Sequence, residues 1–224
     1  MKDVSARVVT SFGSSREFHH RDLPDDAGPV VSVFVPERTA LILGSTQNSS
    51  VVDENECRSR DIEIVERRSG GGIVLLSPES TVWIDVELPR SHPLWINDVG
   101  ESALWLGETI MHSLQSLGCD ELTLHREAMV KSKWSSLICF AGRGPGEVFT
   151  PDGRKVVGIS QRRTRDWARF QSVVSVQWKP ELLVALLHDP RPEIAEIVDC
   201  GSNLTIAVDQ ITPTVVGGIQ TSLG

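Results

Sequence analysis

Apolar and polar residues alternate along this chain with two different periods. Val82, Ile84, Val86 and Leu88 alternate with Trp83, Asp85 and Glu87, which predicts a strand ended by Pro89. Ile62 and Ile64 alternate with Asp61 and Glu63, predicting a strand over 61–66 with one wet face. Two apolar stretches, 30–35 and 40–43, flank Pro36-Glu37-Arg38 and predict a hairpin. Further strands are expected over 73–76, 121–124, 136–140, 146–150, 155–160 and 169–177, with a tight turn at Pro151-Asp152-Gly153. Between Asn97 and Leu117 the period becomes helical: Val99, Ala103, Leu106, Ile110, Leu114 and Leu117 share a face. Asn97 or Asp98 can cap its start, and Gly118 closes its end. Shorter helices are predicted from Pro180 and over 192–198, and residues 12–29 read as a polar loop with no helix. Strands and helices mix without regular βαβ alternation, and no repeat or linker divides the chain. The expected fold class is α+β, with mixed, mainly antiparallel sheets packed with helices in one domain over 1–224.

Charge narrows the functions open to such a domain. The 224 residues carry 22 Lys and Arg against 30 Asp and Glu, a net charge of −8, which argues against nucleic acid as the main partner. No apolar run approaches the ~20 residues of a membrane span, and the first residues lack the apolar block of an export signal, so a cytoplasmic protein off the membrane is expected. Cys57, Cys119, Cys139 and Cys200 form no Cys-x-x-Cys pair, which removes zinc ribbons and dithiol redox motifs. None of the six histidines stands at metal-ligand spacing from another, and no metal site is expected.

Three segments carry candidate chemistry. In Arg67-Arg68-Ser69-Gly70-Gly71-Gly72, consecutive glycines let backbone N–H groups approach an anion, and the arginines neutralise its charge; a plain flexible turn is the alternative. Lys155 opens a strand that contains Gly158 and Ser160, where a glycine marks close approach of a ligand or another backbone. That lysine can hold the oxygens of an activated acyl group, or stand solvated after its turn. Cys139, in Leu137-Ile138-Cys139-Phe140, is either inert core or a nucleophile activated by a nearby cation. The 154–169 stretch holds six basic residues, a local excess that suits an anionic ligand or an acidic partner.

Taken together these pieces resemble the lipoate–protein ligase and octanoyltransferase family, which shares its α+β catalytic domain with biotin–protein ligases. Leu43-Gly44-Ser45-Thr46-Gln47-Asn48 is similar to the family's Gly-x-x-Gln-Asn turn. Arg67 to Val74 is similar to its Arg-Arg-x-Ser-Gly-Gly-Gly-Ala-Val loop, and Gly153 to Gln161 to its Gly-Arg-Lys-x-x-Gly-Ser-x-Gln strand. The resemblance implies a catalytic Lys155 at the acyl carbonyl. It also implies an acyl and nucleotide site lined by Gln47, Arg67, Arg68, Ser69, Gly70, Gly71, Gly72, Gly158 and Ser160, without an accessory C-terminal domain. The product is then an amide between a lipoyl or octanoyl group and a lysine of a lipoyl domain or a glycine-cleavage H-type carrier protein.

Two chemistries divide that family. Ligases use ATP and Mg²⁺ to make an acyl-adenylate; octanoyltransferases of the cysteine type take octanoyl from acyl carrier protein through a thioester and need no cofactor. The Ser-Gly-Gly-Gly loop with Gln47-Asn48 resembles the ligases and places ligase chemistry slightly ahead. Cys139-Phe140, followed by Glu147 before the lysine strand, resembles the cysteine-dependent transferases. Leu76-Ser77 stands where the family has His-Asp, which keeps a non-catalytic acyl- or carrier-binding module as a third reading.

Overall fold

The alternating segment at 81–89 becomes a strand with a neighbour on each side and a core on each face. The computed structural model describes residues 6–22 and 28–224. In chain order the elements are β1 (Arg7–Gly13), α1 (Ser15–His20), β2 (Val30–Pro36), β3 (Ala40–Leu43), α2 (Glu54–Ser59), β4 (Glu63–Glu66) and β5 (Val74–Leu76). Next come β6 (Thr81–Pro89), α3 (Leu104–Ser116), β7 (Thr123–Leu124), β8 (Val148–Phe149), β9 (Lys155–Arg163) and β10 (Trp167–Ser175). Helices α4 (Pro180–Ala185), α5 (Ile194–Ile197) and α6 (Val208–Leu223) close the order.

Seven strands form one sheet in the order β1-β2-β6-β10-β9-β8-β7, antiparallel except for the β1–β2 pair. A second sheet, β4-β3-β5, stacks on it. On one face of the large sheet, Ile84, Val86, Phe170 and Val174 pack against Leu106, Ile110 and Leu114 of α3 and Ile211, Val215 and Ile219 of α6. On the other face, Phe34, Trp83 and Val173 join the apolar residues of β3 and β5 together with Leu183 and Ile197. The observed architecture is the α+β fold expected, and along β6 and β10 the apolar side chains divide between the two cores by parity.

Several local expectations need correction. The 30–43 hairpin does not form, because β2 is already paired on both sides by β1 and β6, while β3 is paired by β4 and β5 in the other sheet. The polar stretch 12–29 contains helix α1, which Ser14 caps through its side chain and Phe18 anchors by stacking on Phe34 at 4.3 Å; residues 23–27 of that stretch lie outside the described residues. The long helix begins only at Leu104, after a 3-10 turn over Glu101–Ala103 that Asp98 caps. No strand forms at 136–140. Ile138 makes a single parallel bridge to Ile73, and the chain then turns through a 3-10 helix at Cys139–Ala141. Helix α6 is not predicted by the sequence pattern. Among the described residues no helix is long and apolar enough to cross a membrane.

Candidate functional site

The site is built where the glycine loop, the Cys139 turn and strand β9 meet. Gly72 makes this possible: a Cβ there would lie 2.6 Å from both the Cys139 nitrogen and the Ile138 carbonyl carbon, so only glycine lets the two backbones touch. Backbone bonds on each side of Ile73, to Leu137 O at 2.8 Å and from Cys139 N at 3.1 Å, fasten the turn to the loop. Gln47 closes it from beneath. Its Oε1 accepts from Gly44 N at 2.9 Å, and its Nε2 donates to the carbonyls of Ser136 at 3.1 Å and Leu137 at 2.9 Å. Gln47 therefore positions the Cys139 turn through bonds to its backbone.

Lys155 enters from the first position of β9 and is only 1% exposed. Its Nζ meets Glu147 Oε2 at 2.7 Å and donates to the carbonyl of Cys139 at 2.8 Å. Glu147 is fixed in turn by Gly144 N, 2.6 Å from the same carboxylate oxygen. Three residues further along β9, nothing stands between the sheet and the cysteine: a Cβ on Gly158 would lie 3.7 Å from Cys139 Sγ, 3.7 Å from Glu147 Oε1 and 3.4 Å from Val173 Cγ1. A slot opens here, lined among others by Val74, Trp83, Cys139, Gly158 and Val173, with about 10 Å³ of open volume. That is room for about one water.

Arg67 forms the polar wall of the slot. It is buried, and its guanidinium is turned inward: Nε donates to Ser69 Oγ at 3.1 Å, Nη1 to Ile42 O at 3.2 Å, and Nη2 to Gly70 O and Gly72 O, each at 2.9 Å. Burial pushes its pKa down from the ordinary guanidinium value. The arginine thus shapes the loop, while the backbone N–H groups of Gly70, Gly71 and Gly72 donate to no group among the described residues. Those amides can receive a carbonyl or phosphate oxygen.

From Ser69 a buried polar network runs across the sheet. Ser69 Oγ donates to Gln171 Oε1 at 2.7 Å and lies 3.0 Å from Ser160 Oγ. Gln171 Nε2 donates to Asp85 Oδ2 at 3.1 Å, and Asp85 also accepts from Trp83 Nε1 at 2.7 Å and Arg21 Nη2 at 2.9 Å. Beyond it Glu87 pairs with Arg21 and with Arg169 Nε, the latter at 3.0 Å. Burial, and then the neighbouring Asp85 charge, raise the Glu87 pKa. His19 of α1 accepts from Gln171 through Nδ1 at 3.3 Å, and its Nε2 has no partner among the described residues. Burial, with the positive charges of Arg67 and Arg21, holds this imidazole well below its usual range, so it is neutral.

Arg67, Ser69, Gly72, Cys139, Lys155, Gly158 and Ser160 thus lie together in the structure. Arg68 does not: it is exposed and faces Asp22 at 3.5 Å. Gly70 has open space around its Cα. The basic 154–169 stretch does not form one patch. Lys155 and Arg169 are buried, Arg154 pairs with Asp152 and Asp199, and Arg163 donates to the carbonyls of Ile96 and Asn97. Strand alternation scatters these side chains to opposite faces. Nothing in the sequence marks Trp83, Asp85 or Gln171 as part of a site; for Asp85 and Gln171 the only signal is a polar residue at every second strand position. Among the described residues no three His, Cys, Asp or Glu side chains gather as a metal site would require.

Residues 15–214 match the family model described as the lipoyl protein ligase A/B catalytic domain. Similar curated proteins include octanoyltransferase LipM of Carboxydothermus hydrogenoformans, 29% identical over 160 residues, covering 71% of this chain and 57% of the relative. Octanoyltransferase LipM of Clostridioides difficile is 24% identical over 169 residues, covering 75% of this chain and 61% of the relative. The matches thus span about six-tenths of these relatives' length. Among solved structures, a bipartite lipoate protein ligase from Thermoplasma acidophilum, studied with its E2 lipoyl domain, aligns with TM-score 0.73 at 16% identity over 98% of this chain and 84% of that one. Lipoate-protein ligase A bound with ATP aligns with TM-score 0.74 at 15% identity over 98% of this chain and 85% of that one.

Proposed function

Because the chain belongs to the lipoyl protein ligase A/B catalytic-domain family, we propose that it transfers a medium-chain acyl group, octanoyl, to a lysine of a lipoyl domain, with Cys139 carrying the group between donor and acceptor. The observation that carries this reading is the placement of Lys155. Its ammonium is committed to Glu147 and to the carbonyl of Cys139 itself, so the lysine serves the cysteine. The curated relatives, octanoyltransferases by name, support the same reading.

In the first half-reaction the Cys139 sulfur attacks the carbonyl carbon of an octanoyl thioester presented by an acyl carrier protein. The new C–S bond forms as the donor C–S bond breaks, and the proton lost by Cys139 ends on the departing thiol. Negative charge develops on the acyl oxygen. The ammonium of Lys155 has three N–H groups and uses two on Glu147 and Cys139 O, leaving one for that oxygen together with the loop amides. One such preorganised donor is worth about 3–4 kcal/mol of barrier. In the second half the neutral ε-amine of the acceptor lysine attacks the Cys139 thioester. The amide forms, and the amine's proton ends on the cysteine sulfur. The acceptor is a lipoyl domain or an H-type carrier protein.

ATP with Mg²⁺, the ligase alternative, fits these residues only in part. The unpaired amides of Gly70 to Gly72 suit a phosphate as well as a carbonyl, but the Arg67 guanidinium is committed to Ser69 and to the loop carbonyls, and Lys155 keeps a single N–H beyond Glu147 and Cys139 O. No step is assigned to ATP.

The test mixes the protein with a lipoyl domain under two conditions, octanoyl-acyl carrier protein without nucleotide, or octanoate with ATP and Mg²⁺, and weighs the lipoyl domain. Octanoylation in the first condition is the expected result. Modification only in the second overturns the cysteine route in favour of a ligase, and modification in neither favours the binding module.

A further inference from the structure

Strand β9 leads away from Cys139 along an edge that no other strand covers. Strand β8 pairs with β9 only at Lys155 and Val157, and among the described residues no strand takes its place further along. Residues 159–163 are accordingly half-buried, whereas β10 on their other side is buried from Ala168 onward. An open strand edge presents backbone N–H and C=O groups that can pair with the amides of an extended ligand. Gly158, where an added Cβ would lie 3.7 Å from Cys139 Sγ, stands at one end of this edge, and Arg162 stands near the other. At about 3.3 Å per residue the two are about 13 Å apart.

The far end is rich in arginine. Arg162, Arg163 and Arg165 come from the β9–β10 hairpin, and Arg90, just after β6, joins them: its backbone N–H donates to Asp166 O at 2.8 Å and its Nη1 to Arg165 O at 3.2 Å. Arg90 and Arg163 both lie over the Trp95 ring, 6.0 Å and 4.5 Å from its centre, and Arg163 donates to the carbonyls of Ile96 and Asn97. A ring and carbonyls orient these guanidinium groups without cancelling their charge. The ion pairs of the 154–169 stretch belong to Arg154, Lys155 and Arg169; among the described residues Arg90, Arg162, Arg163 and Arg165 pair with no carboxylate, Asp98 and Asp166 included. In a chain of net charge −8 this end is a local positive excess. Ile96 and Val99, 37% and 56% exposed, add apolar surface beside it, the mixture that a protein partner covers.

We infer that the arginine-rich end of the β9–β10 hairpin docks the acyl donor, an acidic carrier protein, whose flexible arm runs along the open edge of β9 to Cys139. The inference rests on the Cys139 reading above. A pantetheine arm has about thirteen bonds between its sulfur and its phosphorus, each advancing about 1.3 Å, so it spans about 16 Å. That covers the distance from Gly158 to Arg162, and the arm's two amides meet the unpaired backbone on the way. The acceptor obeys a tighter limit. A lysine side chain reaches only about 6 Å from its backbone, so a lipoyl domain has to dock at the cysteine itself and not at the hairpin end. Charge and distance therefore assign this surface to the donor.

The experiment compares two donors, octanoyl-acyl carrier protein and octanoyl-pantetheine, which has the thioester but no protein. Acylation of Cys139 is followed by intact mass in the wild type, in Arg165→Glu and in the double variant Arg162→Glu/Arg165→Glu, with thermal melts to establish folding. The double variant is expected to lower kcat/KM for the carrier about tenfold or more and to leave the pantetheine reaction unchanged. The carrier reaction of the wild type is also expected to slow as salt is raised, and that of the variant to respond less. Arg165→Glu, at a side chain without a bond among the described residues, is expected to show a smaller loss and keeps the test open if the double variant does not fold. A folded double variant that uses the carrier at the wild-type rate, or loses both donors equally, overturns the docking surface alone. So does a variant that accepts octanoyl normally from the carrier but passes it to a lipoyl domain more slowly, since the surface would then hold the acceptor. Absence of any adduct in the wild type from either donor overturns the Cys139 reading and the inference with it.

Discussion

Replacing Gly158 with alanine separates folding from function at one atom. The new methyl would meet Val173 Cγ1 at 3.4 Å, Cys139 Sγ at 3.7 Å and Glu147 Oε1 at 3.7 Å, all ordinary van der Waals distances, so the folded chain accepts it without moving. Glycine inside a strand costs roughly 0.5–1 kcal/mol relative to alanine, and the variant should match or exceed wild-type stability by up to that amount. The same methyl stands between the cysteine sulfur and the floor of a slot whose open volume is about 10 Å³, and it uses up that space. An acyl group arriving at Cys139 then sits about 1 Å from its productive position, a displacement that costs about 10²-fold in rate. Urea denaturation measures the first effect, and intact-mass kinetics of Cys139 acylation the second. Wild-type acylation in Gly158→Ala would refute the placement of the acyl group between Cys139 and Gly158, and a stability loss above about 1 kcal/mol would refute the geometry around the sulfur.

Two further outcomes follow from the buried charges. Glu147→Gln leaves the Lys155 ammonium buried without its carboxylate and should lower stability by about 3 kcal/mol in urea denaturation; a loss below about 1 kcal/mol would mean the pair is not sequestered. His19 binds its proton less readily in the folded protein than in the unfolded chain. As pH falls through about 6.5 the unfolded chain therefore gains a proton that the native state lacks, and stability drops with a slope approaching about 1.4 kcal/mol per pH unit. His19→Gln should remove that slope between about pH 6.5 and 5; because Glu87, whose raised pKa acts in the opposite sense, is common to both proteins, their difference isolates His19. Parallel stability profiles for the two proteins would contradict the assignment.

The parts of this site legible in sequence are those where local chemistry is restrictive. Gly72 has to be glycine because a backbone crosses it, and Lys155 and Gly158 share a strand whose alternation is plain. The network behind them is hidden for a physical reason: Asp85 and Glu87 read as ordinary polar positions, and the arginines that permit their burial, Arg21 just after α1 and Arg169 of β10, lie far away in the chain. Helix α6 was obscured by Pro213, Gly217 and Gly218, all poor helix formers, although Ile211, Val215, Ile219 and Leu223 recur at the four-residue spacing of a buried face. Its packing on α3 outweighs those propensities, and Gly218 allows the close approach to Ser113. The 30–43 segment failed as a hairpin because strand pairing depends on which partners are already taken, a property of the whole sheet.

The central claim is that Cys139 holds the acyl group, and intact mass spectrometry tests it most directly. The protein, with and without Cys139→Ser, is incubated with octanoyl-acyl carrier protein in the absence of ATP. A gain of one octanoyl group that is discharged by hydroxylamine and missing from Cys139→Ser is the predicted result. An unmodified wild-type protein that still octanoylates a lipoyl domain, or a Cys139→Ser variant that does so at the wild-type rate, would contradict it.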